Sequence, residues 1–287
     1  SEHWSRRAEL QRALLRLGNL VHEDAPVPRG LGGDATERAA SAPSLESHPL
    51  VARLVEADWA SRAPTCWTLV GDGAHLARAL HEHAISAVQR AGYTVLPCPL
   101  AAADRARVQR MARLLDERGE ARGDAAVALA SALAGSSPLG VHHSAAWLRP
   151  DELPLRYAYV DEAASGGADA RLMVCEAWPD DGSIWSALQR VVELCCDLYD
   201  SLSLEPRRQE VLSTSLGLDE ARSVSITAAG NDIELGRAAC HAGFRARRLG
   251  VRYGCKRMNE REKRYVHTLE ACVCHPKSVA LALAASG

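Results

Sequence analysis

Phenylalanine is all but missing from this 287-residue chain, which holds one, Phe244, and aromatic residues together make up 5%. Lysine is nearly as scarce: positions 256, 263 and 277 are the three lysines among 34 Lys and Arg residues. With alanine abundant and arginine supplying almost every cation, the bias reads as codon pressure from a GC-rich genome rather than as chemistry. No apolar run approaches the roughly 18 residues that a membrane-crossing helix requires, so no such span is expected. The nine cysteines (66, 98, 175, 195, 196, 240, 255, 272 and 274) are odd in number and lack framework spacing, in a chain too long to depend on disulfide staples. A reducing compartment is therefore expected. Gly71-Asp-Gly73 is a turn without the GxxxxGK[ST] spacing that cradles phosphates, which excludes a P-loop there. The opening Ser1-Glu-His-Trp4 carries neither signal nor transit character, as a matured N-terminus also would not.

What is present is a globular balance of 47% hydrophobic and 24% charged residues, enough for one large domain with an ordinary core. The net charge of −2 gives no overall attraction to nucleic acid. Its distribution is uneven, however. From Arg245 to Arg264 nine basic residues (245, 247, 248, 252, 256, 257, 261, 263 and 264) stand against Glu260 and Glu262. From Asp151 to Asp200 eleven acids stand against Arg156, Arg171 and Arg190. A basic stripe beside an acidic region suits a protein docked among charged partners, and equally the salt-bridged surface of a lone domain.

Apolar spacing near 3.6 predicts helices over 4–20, 49–61, 74–91, 101–118, 124–134 and 185–199. Residues 22–47, rich in Pro, Gly, Ala and Ser, read as an extended connection. Runs of β-formers predict strands over 67–70, 92–99, 153–160, 172–178, 210–213, 222–227 and 233–238. The chain closes with 265–274 and an apolar run, 279–285, suited to a buried helix. Without regular β-α-β alternation, the order favours an α+β fold with a mostly antiparallel sheet.

The stretch Phe244-Arg-Ala-Arg-Arg-Leu-Gly-Val-Arg-Tyr-Gly254, followed by Tyr265-Val-His-Thr-Leu269, resembles the late signature of seryl-tRNA synthetases, DYQARRLxIRYG…YVHxLN. Further stretches match the family in order. Arg16-Leu-Gly-Asn-Leu-Val-His22 resembles IGNxVHPSVPV, and Gly71-Asp-Gly-Ala-His-Leu-Ala-Arg-Ala-Leu80 resembles GDGVLLNQAL. Gly92-Tyr-Thr-Val-Leu-Pro-Cys-Pro99 resembles motif 1, GYTPLQTP, and Trp147-Leu-Arg-Pro-Asp-Glu-Leu-Pro-Leu-Arg-Tyr157 resembles WLxPKDLPLRYA, which leads into motif 2. The resemblance implies a class II synthetase fold, an antiparallel sheet flanked by helices and dimeric through motif 1, with Pro99 at the subunit interface. It divides the chain into a remnant of the N-terminal helical arm (1–21), an extended linker (22–48) and a catalytic-core domain (49–287).

Position by position, the resemblance also implies that the chemistry is degenerate. Serine activation needs a cation on the ATP α-phosphate, groups that fix the serine ammonium and hydroxyl, and metal-bound phosphates. The motif 2 arginine of CFRKEAGS has no counterpart in Ala158-Tyr-Val-Asp-Glu-Ala-Ala-Ser165, where Glu162 stands among neutral and acidic residues. The serine-holding TSEQP aligns with Ala134-Gly-Ser-Ser-Pro138, whose Ala134 and Ser136 replace the Thr and Glu. Along FRVHQFEKVE, Arg171 and Glu176 persist, while the adenine-stacking aromatic becomes Cys175 and the serine-contacting acid becomes Pro179. Glu234 keeps the metal-binding acid of RELxSC, and Ser278 stands where motif 3 carries a γ-phosphate arginine, with Lys277 beside it. A lysine's point charge does not reproduce that bidentate fork.

Glu234 reads first as a solvated or ion-paired acid at a strand start, and only second as a relic metal ligand. Cys272, Cys274 and His275 offer three potential zinc ligands without a fourth, so buried cysteines are expected and no metal or cofactor is assigned. His81 and His83, two apart on a helix, point away from each other. The expectation is thus a catalytically inactive seryl-tRNA synthetase-like protein, not an enzyme, kept as a structural and RNA-protein interaction module. Its candidate contact residues are Arg245, Arg247, Arg248, Arg252, Lys256, Arg257, Arg261, Lys263 and Arg264, and its expected partners are ribosomal RNA with ribosomal or assembly proteins. By analogy with synthetase-like subunits of mitochondrial ribosomes, the expected location is the mitochondrion. A regulatory subunit heterodimerised with an active seryl-tRNA synthetase and a divergent ATP-dependent serine or amino-acid ligase are the alternatives.

Overall fold

The computed structural model describes residues 19–27, 45–63, 66–96, 137–161, 170–230, 232–255 and 263–286. The expected helices 101–118 and 124–134, most of 4–20, and Pro99, Ala134, Ser136, Glu162, Lys256, Arg257 and Arg261 lie outside the described residues.

Helix α1 (Val51–Glu56) leads into a hairpin of β1 (Ala60–Arg62) and β2 (Trp67–Leu69), then α2 (Gly71–Arg90) and β3 (Thr94–Val95). After α3 (Pro138–His143) and β4 (Trp147–Leu148) come the long strands β5 (Leu155–Asp161) and β6 (Arg171–Trp178), helix α4 (Ser183–Asp200), and strands β7 (Pro206–Glu210), β8 (Arg222–Ala228) and β9 (Glu234–Ala242). The chain continues through α5 (Phe244–Leu249), β10 (Arg252–Tyr253), β11 (His267–Cys274) and α6 (Pro276–Ser286). Seven strands form one sheet in the order β3-β5-β6-β11-β9-β8-β7, antiparallel except for the β3–β5 pair. The α+β expectation holds.

Three boundaries differ from the sequence expectation. The helix expected over 49–61 stops at Glu56, because Asp58 turns the backbone into the left-handed region (φ 59°) and the Trp59 N–H returns to the Leu54 carbonyl at 2.8 Å. The strand expected over 210–213 lies at Pro206–Glu210, the outermost strand, where a proline removes no interior ladder donor. The basic stretch after Gly243, which the spacing assigned to no element, opens as the helix α5.

Strand alternation sorts the sheet into two faces. Leu172, Val174, Ile226, Leu235, Leu269 and Val273 pack with α2, α4 and α6 into the main core. The amphipathic face of α4 buries Ile184, Leu188, Val191, Cys195, Leu198 and Tyr199 against it. Truncating any of the fully buried leucines to alanine is worth about 2–5 kcal/mol. The Tyr199 hydroxyl sits 2.6 Å from the Leu235 carbonyl and 2.8 Å from that of Val273, joining β9 to β11 from below. Gly236 permits this approach: a Cβ there would lie 2.6 Å from the Cys272 carbonyl oxygen and 3.0 Å from the Tyr199 hydroxyl.

On the opposite face, Tyr159, Cys175 and Ala177 pack under Leu139, Leu148, Leu249, Val251 and Val266 in a second, smaller cluster. This cover, built from α3, the parallel pair β4–β10 and α5, leaves the part of the sheet around β9 and β11 open.

Candidate functional site

The open part of the sheet is the floor of a cavity of about 820 Å³. Alternation along β6, β9 and β11 turns Arg171, Met173, Arg237, Ala239, His241, Glu270 and Cys272 into it, while Glu234, His275 and Ser278 contribute from strand and helix ends. Three of the sequence-identified positions, Arg171, Glu234 and Ser278, are thus brought to one cavity. Cys175 and Pro179 are not among its walls. Cys175 lies buried in the smaller cluster, where burial pushes its thiol pKa well up, and Pro179 follows the end of β6. Glu176, which also persists from the family pattern, faces the helices: it accepts hydrogen bonds from the Tyr93 hydroxyl and the Trp178 indole.

Each of the three convergent residues has an ordinary local role. Ser225 Oγ donates to Glu234 Oε2 at 2.7 Å, and Arg171 lies directly opposite Asp161 in the β5–β6 ladder. Ser278 is buried in the first turn of α6, its hydroxyl 2.9 Å from His275 Nδ1.

The charge at the cavity floor belongs to residues that sequence reasoning placed elsewhere or passed over. Arg245 points inward, its side chain 13% exposed, and donates through Nε to Asp219 at 2.7 Å and through Nη1 to Glu270 at 2.5 Å. The Tyr159 hydroxyl donates to the same Glu270. Buried His241 sets its Nδ1 3.1 Å from the Asp219 carbonyl and 3.3 Å from the Asp219 carboxylate. Beside it, Arg237 donates to Glu220 at 2.6 Å and to Ser223 Oγ at 2.9 Å. Burial alone would raise the pKa of Asp219 and Glu270; the Arg245 guanidinium more than reverses that and holds both below the usual carboxylate range. Burial, reinforced by Arg245, pushes His241 down to about 4, so its ring is neutral near pH 7.

One signal in the sequence pointed to this network. In the pattern DYQARRL…YVHxLN the residue after the aromatic is glutamine and the one after the last leucine is asparagine, whereas here they are Arg245 and Glu270. Two departures of opposite charge in one signature mark a contact, and the structure supplies it.

The basic stripe does not form a single outward face, which corrects its reading as one contact surface. Arg245 is the buried cation just described. Arg248 folds back over the Phe244 ring at 3.3 Å, and burial lowers its pKa to about 10. Arg252 lies over Trp147 at 5.1 Å, with its Nε buried. Only Arg247, Lys263 and Arg264, among the described members, are exposed. His83 meets Ser201 Oγ at 2.9 Å, apart from His81, and, of the adjacent His142 and His143, His143 meets the Tyr157 hydroxyl at 3.0 Å. Among the described residues no group of three or more His, Cys, Asp or Glu side chains could hold a metal ion, and no helix is long and apolar enough to cross a membrane.

The chain is 29% identical, over 92% of its length, to the cytoplasmic serine–tRNA ligase of Arabidopsis thaliana, of which it covers 66%. It is 26% identical over 92% of its length to the serine–tRNA ligase of Helianthus annuus, covering 67% of that protein. Among solved structures, the cytoplasmic serine–tRNA ligase of Naegleria fowleri in complex with AMP superposes with a TM-score of 0.72 at 17% identity, over 98% of this chain and 74% of that one. The seryl-tRNA synthetase of Pyrococcus horikoshii complexed with ATP gives 0.68 at 17% identity, over 98% and 73%. No family model matches the chain. The chain thus spans about two thirds of the length of the plant relatives it matches. These similarities support a relationship to the seryl-tRNA synthetases and establish their fold for this chain.

Proposed function

We propose that this chain, related to the seryl-tRNA synthetases, is a non-catalytic member that serves as a structural and RNA-protein interaction module. By analogy with synthetase-like subunits of mitochondrial ribosomes, its proposed setting is such a ribosome or an assembly intermediate. The observation that carries this reading is that two cations at the cavity floor, Arg237 and Arg245, are neutralised from within the chain. Arg237 is held by Glu220, and Arg245 by Asp219 and Glu270, so both cations are committed to carboxylates of their own chain rather than to phosphate oxygens. Adenylate formation builds negative charge on the α-phosphate and needs a cation free to meet it; losing one such donor typically removes about 3–4 kcal/mol of transition-state stabilisation. The buried Ser278, in place of the motif 3 arginine, points the same way.

Serine-dependent ATP–pyrophosphate exchange tests the catalytic half. The expected result is no exchange above a protein-free blank, unchanged by Glu234→Ala; exchange that depends on serine and disappears in Glu234→Ala would overturn the reading. Native affinity purification, with and without RNase, tests the other half. Recovery of ribosomal or assembly proteins that depends on RNA is expected. Recovery with an active seryl-tRNA synthetase and no ribonucleoprotein would replace the proposal with a regulatory heterodimer.

A further inference from the structure

Resting on that reading, we infer that the concavity lined by Arg247, Lys263 and Arg264 is a docking site for the phosphate backbone of single-stranded RNA. The pocket holds about 360 Å³, and Asp180, Gly243, Tyr265 and His267 complete its wall. Its three cations come from two places, Arg247 from α5 and the adjacent Lys263 and Arg264 from the approach to β11, so the fold brings together two ends of the basic run.

The local balance is positive. Among the described residues no carboxylate pairs with Arg247 or Lys263. The single carboxylate of the wall, Asp180, is already engaged by His267 Nε2 at 2.9 Å. Neighbouring Asp181 is turned to the start of α4, accepting from the Ser183 N–H at 3.0 Å. One of the cations is also held in place. Arg264 lies 4.8 Å over the Tyr253 ring and donates Nη2 to the Asp180 carbonyl at 2.9 Å. Arg247 is exposed and runs alongside Gly243. An arginine fixed before binding loses little side-chain entropy when a phosphate arrives, and its fork matches the oxygens.

RNA is favoured over an acidic peptide by what lies next door. A second concavity, also of about 360 Å³, shares Arg247 and His267 and is walled by His22 and Trp185, whose rings stand 4.0 Å apart; Glu23 is its one acid. Cations that follow a backbone, interleaved with aromatic rings on which bases can stack, are the pattern of single-strand recognition. An acidic peptide gains from the cations, whereas a nucleotide strand brings an anion and a planar face for the rings with every residue.

The test is fluorescence anisotropy with a labelled single-stranded 20-mer RNA, for the full chain and for the triple variant Arg247→Gln, Lys263→Gln, Arg264→Gln. At 0.1 M salt the variant is expected to bind at least tenfold more weakly, and the slope of log affinity against log salt is expected to fall by about two, roughly 0.7 for each phosphate of a single strand no longer neutralised. A control triple, Arg53→Gln, Arg78→Gln, Arg90→Gln, removes the same charge from exposed positions on α1 and α2 and is expected to bind within twofold of wild type. Equal weakening by both triples, or none by the first while its thermal midpoint matches wild type, overturns the inference and leaves the non-catalytic reading standing. Polyglutamate competing with the RNA at equal charge concentration overturns it in favour of an acidic protein. The non-catalytic reading fails separately, in the exchange assay, whatever the RNA result.

Discussion

The Arg245–Glu270 pair offers the sharpest test of how the cavity floor is held. Reverting each residue to the type in the pattern it departs from gives a double-mutant cycle: Glu270→Asn, Arg245→Gln and the two together. Glu270→Asn leaves a guanidinium 13% exposed with Asp219 as its only carboxylate and strips the Tyr159 hydroxyl of its acceptor. Arg245→Gln leaves two carboxylates, 11% and 16% exposed, without the cation that keeps them ionised. Breaking one side of a buried pair costs about 3–5 kcal/mol; the second contact of Arg245 with Asp219 places Glu270→Asn at the low end and Arg245→Gln at the high end. The double variant exchanges the Arg245–Glu270 pair for two amides but leaves Asp219 without its cation, so it is expected to lose about as much as Arg245→Gln alone, about 5 kcal/mol, which against singles of about 3 and 5 is a coupling of about 3 kcal/mol. Urea unfolding followed by tryptophan fluorescence and circular dichroism at pH 7.5 measures all four corners. The coupling should persist at 0.5 M salt, because screening reaches buried pairs poorly. Single losses that simply add in the double variant would refute the assignment of these two residues as one unit.

Stability should also fall with acid in a defined window. His241 titrates near ~6.5 in an unfolded chain and at about 4 in the fold, so the unfolded state takes the proton first. Its contribution is complete above about pH 6.5 and is lost as pH falls toward 4, at up to ~1.4 kcal/mol per pH unit and about 3 kcal/mol in total. Asp219 and Glu270, lowered in the fold, add a further loss as pH falls through and below the usual carboxylate range; urea midpoints at pH 7.5, 6, 5, 4 and 3 read both, and His241→Gln should flatten the upper part of the curve. Gly236→Ala should destabilise by at least about 2 kcal/mol, since its methyl would meet the Cys272 carbonyl at 2.6 Å, and a melting temperature within 2 °C of wild type would contradict the close β9–β11 contact. Ser278→Arg, which restores the motif 3 residue type, should lower the melting temperature without yielding pyrophosphate exchange, because the side chain it replaces is 1% exposed and bonded to His275.

Much of the fold was legible because its core elements repeat cleanly. The apolar stripe of α4 and the alternation in β5, β6 and β8 each match one period, and the apolar run of α6 matches a helix buried on all sides. The errors fall where a single residue overrides the period. Asp58 ends α1 by adopting a positive φ that no spacing announces, and Pro206 opens an edge strand that a proline argued against. Helix α5 was obscured because arginines at four of the positions 244–252 hide its buried side, Phe244, Ala246 and Leu249.

The site was legible to a different depth. Arg171, Glu234 and Ser278 could be placed by alignment with a pattern, and the fold does gather them. The partners of Arg245 could not, because Asp219 and Glu270 lie 26 and 25 residues away and meet it only after β9 and β11 pair. The same limit explains why a charge run was a poor guide to a surface. Among its described members, arginine serves once as a buried counter-ion at Arg245 and three times as a plate over an aromatic ring, at Arg248, Arg252 and Arg264; only Arg247, Lys263 and Arg264 are exposed. A guanidinium is weakly hydrated and planar, so a chain that uses arginine for nearly all its cations can bury or stack many of them without large penalty. Counting charge along such a sequence therefore overstates what it can offer a partner, and the three cations that survive the sorting are the ones on which an RNA contact has to stand.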